Sequence, residues 1–185
     1  PAVAGSGESA VQYLAGRLWT ALGWPEQAPP LPEASQLYLA NLKNAVHWSV
    51  KLTHIELLCD DARRCPQGAF HTAMHLSNLL SVSEHLPVRM KAGEGLLAIA
   101  DLLTLDQRNE IVVDLLRELE TGQEEVSRYI PQYLGPLLCS LPDKEVEEGL
   151  TFLEDFVRSS SVSPARAALL TLGNILTNLA RSGRA

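Results

Sequence analysis

PVRMKAGEGLLAIADLL (Pro87–Leu103) and SPARAALLTLGNILTNLA (Ser163–Ala180) are the two stretches on which the fold of this chain turns. Each has a proline at its start, where the missing N–H costs a helix nothing. Each then runs through small residues into Leu and Ile at three- and four-residue spacing, the period of one helix face. A third segment of the same kind starts near Glu125. The three starts, near Pro87, Glu125 and Ser163, fall 38 residues apart. A step of that size matches two-helix repeats, which bury their apolar faces by stacking on one another.

Each of these helices has a partner before it. The spacing predicts helices over about 69–82, 106–119 and 142–158. Asp106 stands where an N-cap is wanted and Pro142 opens the third. The hairpins therefore cover about 69–103, 105–140 and 142–181, within a repeat region of 67–185. The middle second helix contains Pro131, Gly135 and Pro136, and is expected to start late or kink. Residues 1–66 read as N-terminal helices that cap the stack. One runs over Glu8–Leu22, and the Pro-rich stretch 23–32 links it to one long helix or two abutting ones over 33–65.

The second helices resemble those of HEAT repeats. A Val-Arg-like pair opens the helix, small residues follow, and a Leu-rich stretch with Gly completes it. The resemblance implies an all-α fold, a right-handed α-α superhelix (a HEAT/armadillo-like solenoid) of three hairpins. It also assigns a role to Arg89, Arg128 and Arg166, which recur at spacings of 39 and 38. In that family the equivalent basic residue bridges to an acid about six residues earlier, forming a ladder along the stack. Here those positions hold Ser83, Gly122 and Ser160, with Glu84 and Glu120 nearby. The wording of 71–176 is also similar to a helical-repeat region of large multidomain bacterial proteins that carry a nucleotidyltransferase-like domain. None of that domain's phosphate-binding motifs stands in this sequence.

Composition agrees with a helical reading. Hydrophobic residues make up 46% of the 185 and aromatic ones only 5%, so the apolar content is mostly Leu, Ala, Val and Ile. The formal charge is −7, and residues 104–157 hold 13 acids against 4 bases. A field of that sign repels phosphate backbones and anionic lipid, so neither nucleic acid nor a membrane is an expected partner. Three cysteines at irregular spacing do not make a disulfide framework and fit a reducing, cytoplasmic setting. The chain opens on Pro1, from which a piece of a longer protein is expected.

Few residues suggest chemistry. Cys59, Cys65, His71 and His75 are ligand types that could close a tetrahedral zinc site. Their C-x5-C-x5-H-x3-H order is not a finger spacing, and helix-end residues explain them as well. His47 and His54 lie two helical turns apart beside Trp48 and suit either a small pocket or satisfied, half-buried positions. The acids Glu110, Asp114 and Glu118 with Arg117 read as a solvated helix face. No nucleophile–base arrangement and no Gly-Lys phosphate loop is present, so no catalytic residue and no cofactor is expected.

One polar stripe fits binding. Thr171, Asn174, Asn178 and Arg181 share a face of the last helix, and with Arg89, Arg128 and Arg166 they are the candidate partner-binding residues. Solvent exposure or contacts to a neighbouring repeat explain the same stripe. The expected function is a non-catalytic interaction or scaffold module that meets a protein, in another chain or as a neighbouring domain. The alternatives are a regulatory or structural region of a larger enzyme and a small zinc-binding domain.

Overall fold

The computed structural model describes residues 33–44, 47–121, 128–158 and 162–182. The helix expected over Glu8–Leu22 and the link at 23–32 lie outside the described residues. Those described belong to one compact unit, Leu31–Ala185. They form eight α-helices and two 3-10 turns, with no strand among them.

The helices are α1 (Glu33–Asn44), α2 (Trp48–Arg64), α3 (Ala69–Val82) and α4 (Leu86–Ile99), then α5 (Leu105–Thr121), α6 (Pro131–Cys139), α7 (Asp143–Arg158) and α8 (Val162–Ser182). The apolar stretch 33–65 is thus two helices. His47 caps the second, its Nδ1 accepting from the Ser49 N–H at 3.3 Å. Cys65 closes it, with its N–H bonded to the Asp61 carbonyl at 2.8 Å. Pro66 then opens a 3-10 turn that leads into α3. In α4, Pro87 occupies the first turn and a 3-10 turn at Ala100–Leu102 ends the run to Leu103. The middle second helix starts late, at Pro131, and is nine residues long with Pro136 inside it. Its expected beginning near Glu125 lies outside the described residues.

Consecutive helices pair as hairpins: α1 with α2, α3 with α4, α5 with α6, α7 with α8. The second helices also lie side by side, α2 on α4, α4 on α6 and α6 on α8, while α3 packs on α5 and α5 on α7. The result is two layers around one apolar cluster that runs from Leu39 to Ile175. Spacing explains how each helix reaches it. Ala69, Ala73, Leu76 and Leu80 line one face of α3, and Val88, Ala92, Leu96 and Ile99 line one face of α4.

Two glycines let α4 sit between its neighbours. A Cβ on Gly93 would lie 2.5 Å from the Tyr133 ring of α6, and one on Gly95 would lie 2.8 Å from Cys59 Sγ of α2. Gly135 does the same for α6 and α8, where a Cβ would meet Asn174 Cβ at 2.8 Å and the backbone at 3.3 Å. Only a residue without a Cβ permits approaches this close.

Arginines tie helix ends across the layers. Arg89 is buried, at 7% exposure, and its Nε donates to the carbonyl of Ser83, the C-cap residue of α3. Arg108 on α5 donates from Nη1 to the carbonyl of Ser140, the C-cap residue of α6, at 3.0 Å. Each places a cation where a helix leaves unpaired carbonyls and a partial negative charge. Between α1 and α2, the Ser35 hydroxyl donates to the Asp61 carboxylate.

Candidate functional site

Of the ladder expected of Arg89, Arg128 and Arg166, only the Arg89 rung has both positions among the described residues. Arg89 does reach position Ser83, six residues before it, but it bonds the backbone carbonyl because no acid stands there. Arg128 is exposed, lies over the Tyr129 ring at 4.7 Å and donates to its hydroxyl at 2.6 Å. Arg89 approaches the same ring, at 5.9 Å. Arg166 is exposed on α8. The positions six residues before Arg128 and Arg166 lie outside the described residues. The tie made by Arg108 was not foreseen, since its partner is a backbone carbonyl 32 residues away.

The four zinc-ligand types are not brought together. Cys59 is buried against Gly95 of α4, and burial pushes its thiol pKa up, away from the thiolate that metal binding needs. Cys65 ends α2. His71 and His75 lie along α3, with Lys43 of α1 near the latter. Among the described residues no three of His, Cys, Asp and Glu form a group that could hold a metal. His47 stacks on Trp48 at 5.6 Å, whereas His54 lies 6.5 Å from Tyr38, so the two histidines attend different aromatic rings.

His75 carries a consequence for pH. Burial, then Lys43, then His71 lower its pKa from the ordinary 6.5. A depressed histidine favours the neutral folded state. Its contribution to stability is full above pH 6.5 and is lost as pH falls from there through the lowered folded value. Chemical unfolding at pH 7 and pH 5 is expected to show a smaller acid-induced loss in His75→Gln than in the parent chain. An identical loss in both would exclude the assignment.

A cleft of ≈ 320 Å³ lies between α2 and α4, where Lys91 bonds Glu56 at 2.6 Å over Cys59 and Gly95. This ion pair holds the Lys91 pKa above its usual value. The lining also holds the Arg63–Asp60 ion pair at 2.8 Å and the carboxylate of Glu94, and burial pushes the Cys59 thiol beneath them up.

The last helix departs most from expectation. Thr171 is 0% exposed and its hydroxyl donates to the Ala167 carbonyl at 2.9 Å. Asn174 packs on Gly135 of α6 and donates to the Leu170 carbonyl at 2.9 Å. Asn178 donates to the Asn174 carbonyl at 2.8 Å. Asn174 of the stripe thus meets α6, Thr171 is buried, and each asparagine amide donates to a carbonyl one turn back in its own helix. Arg181 alone of that set is exposed.

What α8 offers to solvent is apolar. Val162 is 81% exposed, Leu169 56%, Leu170 45% and Leu176 67%. Between them lies Gly173, where a Cβ would meet nothing within 4 Å. Val162, Leu169 and Leu176 stand seven residues apart, two helical turns each, so they form one straight line. Arg166, Gly173 and Ala180 form a second, exposed line beside it. Scattered exposed leucines need no explanation, whereas an aligned apolar stripe makes this face the candidate site.

Comparisons with known proteins add no relative. No family model, no curated protein and no solved structure matches the chain. The stripe on α8 is thus the most informative functional feature. The described helices also include none long and apolar enough to cross a membrane.

Proposed function

We propose that this chain is a non-catalytic protein-interaction module: a HEAT-like solenoid whose hairpins stack as a superhelix and whose last helix meets a partner. The observation that carries this reading is the outward line of Val162, Leu169 and Leu176. A large exposed apolar line is a feature of surfaces that meet another element or partner. The ion-paired Lys91 and Arg63 of the α2–α4 cleft and the raised pKa of Cys59 favour interaction over catalysis.

A photoreactive residue placed at position 176 in the full chain, in cells, tests the reading. It is expected to crosslink to protein, while the same residue at Lys144, exposed on α7, is expected to remain blank. Equal labelling from both positions, or none from 176, would sink it. A crosslink from 176 to another part of the same polypeptide would favour the alternative, a structural region of a larger enzyme.

A further inference from the structure

We infer that the cleft between α3 and α5 is a docking site for a basic segment of a partner protein, one arginine side chain of which enters it. This surface is separate from the outer face of α8, so its failure would leave the reading above untouched. Three observations carry it.

The first is the way formal charge divides between the two layers. Among the first helices, α5 holds five acids against two arginines and α7 six acids against two bases, a net of −3 and −4. α1 and α3 each sum to zero. The second helices run the other way: α2 and α6 sum to zero, α4 carries +1 and α8 +2. The layer of first helices therefore carries −7 and the layer of second helices +3. A field of that sign over α5 and α7 draws in a cation and turns away phosphate, so a nucleic acid is the poorer occupant.

The second is the cleft and its α3 wall. Its volume is ≈ 290 Å³. That lies at the lower edge of the roughly 300–1,000 Å³ of sites for drug-sized ligands, and suits a single side chain. Ser77 and Ser81 line it one turn apart, only 7% and 4% exposed. Neither hydroxyl has a hydrogen-bond partner among the described residues, whereas Thr171 and Thr177 on α8 each bond the carbonyl one turn back. A buried hydroxyl without a partner costs stability. An N–H entering the cleft would give both serines what the chain does not.

The third is the facing wall. Asp114 and Glu118 stand one turn apart on α5, half-buried along the cleft. Asp114 has a loose pair, 3.8 Å from Arg117 at the rim, and Glu118 makes no ion pair among the described residues. Two carboxylates set across from two hydroxyls offer acceptors on both sides of one gap. A planar guanidinium with five N–H donors answers both sides, as a single ammonium does not. Met74 and Val82, at the two ends of the α3 wall, receive the aliphatic stem.

The probes are two blocked peptides, GSRLRSG and GSKLKSG, titrated into the isotope-labelled full chain while its backbone amide shifts are followed by NMR. The arginine peptide is expected to move Ser77, Ser81, Asp114 and Glu118 together and saturably, and to bind at least about fivefold tighter than the lysine peptide. Glu118→Gln is expected to weaken it about tenfold, and the double change Ser77→Ala with Ser81→Ala about fivefold. Alanine improves on serine in a helix, so the double variant keeps the fold. Arg117→Ala removes the competing cation at the rim and is expected to tighten binding. Glu147→Gln, the same loss of charge at an exposed site on α7, is expected to change the affinity less than about twofold. Equal weakening by Glu118→Gln and Glu147→Gln, or shifts spread along α5 and α7 without saturation, would overturn the inference, since the layer would then only gather cations. Equal affinity for the lysine peptide would overturn the arginine assignment. Spermidine bound at the same four amides more tightly than the arginine peptide would overturn the protein partner in favour of a free polyamine. No shift with either peptide would overturn the site.

Discussion

Alanine in place of Gly93 will lower the stability of the chain by about 2 kcal/mol, whereas alanine in place of Gly173 will raise it by up to about 1 kcal/mol. The same methyl group is added to two helices and meets opposite surroundings. At Gly93 it lands 2.5 Å from Cδ2 and Cε2 and 2.6 Å from Cγ of Tyr133. That ring is almost wholly buried, and its hydroxyl donates to the Met90 carbonyl at 3.2 Å, on the very helix that carries Gly93. The ring cannot swing aside without giving up this bond, so α4 and α6 must move apart and loosen the core between them. The gain in helix propensity, about 1 kcal/mol from Gly to Ala, offsets only part of the loss. At Gly173 nothing stands in the way, and the propensity gain is all that remains. Urea unfolding midpoints of the two variants, compared with the parent, check both signs. A stabilising Gly93→Ala would mean that α4 and α6 are not held this close.

These two glycines also mark the limit of what the residues disclose by themselves. Helix spacing was readable for α3, α4, α5, α7 and α8 because apolar residues at three- and four-residue steps recur there without interruption. The division of 33–65 was left open because Ala45 and Val46 continue the apolar band across the break before His47. Which glycine faces a neighbour is invisible until the neighbour is known, since Gly93 after Ala92 and Gly173 after Leu172 both stand inside a helical apolar pattern. On α8 the spacing placed Thr171, Asn174 and Asn178 on one face correctly, but spacing cannot say whether solvent or another helix lies there. The asparagines tolerate the inner side because each amide bonds a carbonyl one turn back in its own helix. Small Ala167 and Ala168 with Ile175 fill the remaining space against the stack, which leaves Leu169 and Leu176 outside. A signal for this was present in the sequence: the last thirty residues contain no acid, which is unusual for a solvated face in an acidic chain.

Replacing Arg89 by alanine is expected to cost about 2–3 kcal/mol, more than any exposed arginine of the chain. Its guanidinium is buried and donates to the Ser83 carbonyl at the end of α3, while its stem packs at the start of α4. Truncation leaves that carbonyl without its partner inside the structure, a penalty of about 1–3 kcal/mol. It also removes the cation from the helix C-terminus and opens a void where the stem lay. Relief from burying a charge returns part of this, which is why the sum stays near the middle of the range. For a unit of this size the unfolding temperature should fall by about 5–10 °C. Arg89→Lys separates the causes. Lysine keeps the charge and reaches the carbonyl but lacks the planar face set toward Tyr129, so a loss of only about 1 kcal/mol is expected. Arg128→Ala supplies the contrast: its side chain is exposed over the same ring, and its loss should stay within about 0.5 kcal/mol. If Arg89→Ala unfolded at the parent's urea midpoint, the bond to Ser83 would not be what fixes the turn between α3 and α4. The tie between α3 and α4 would then rest on the apolar packing of the two helices.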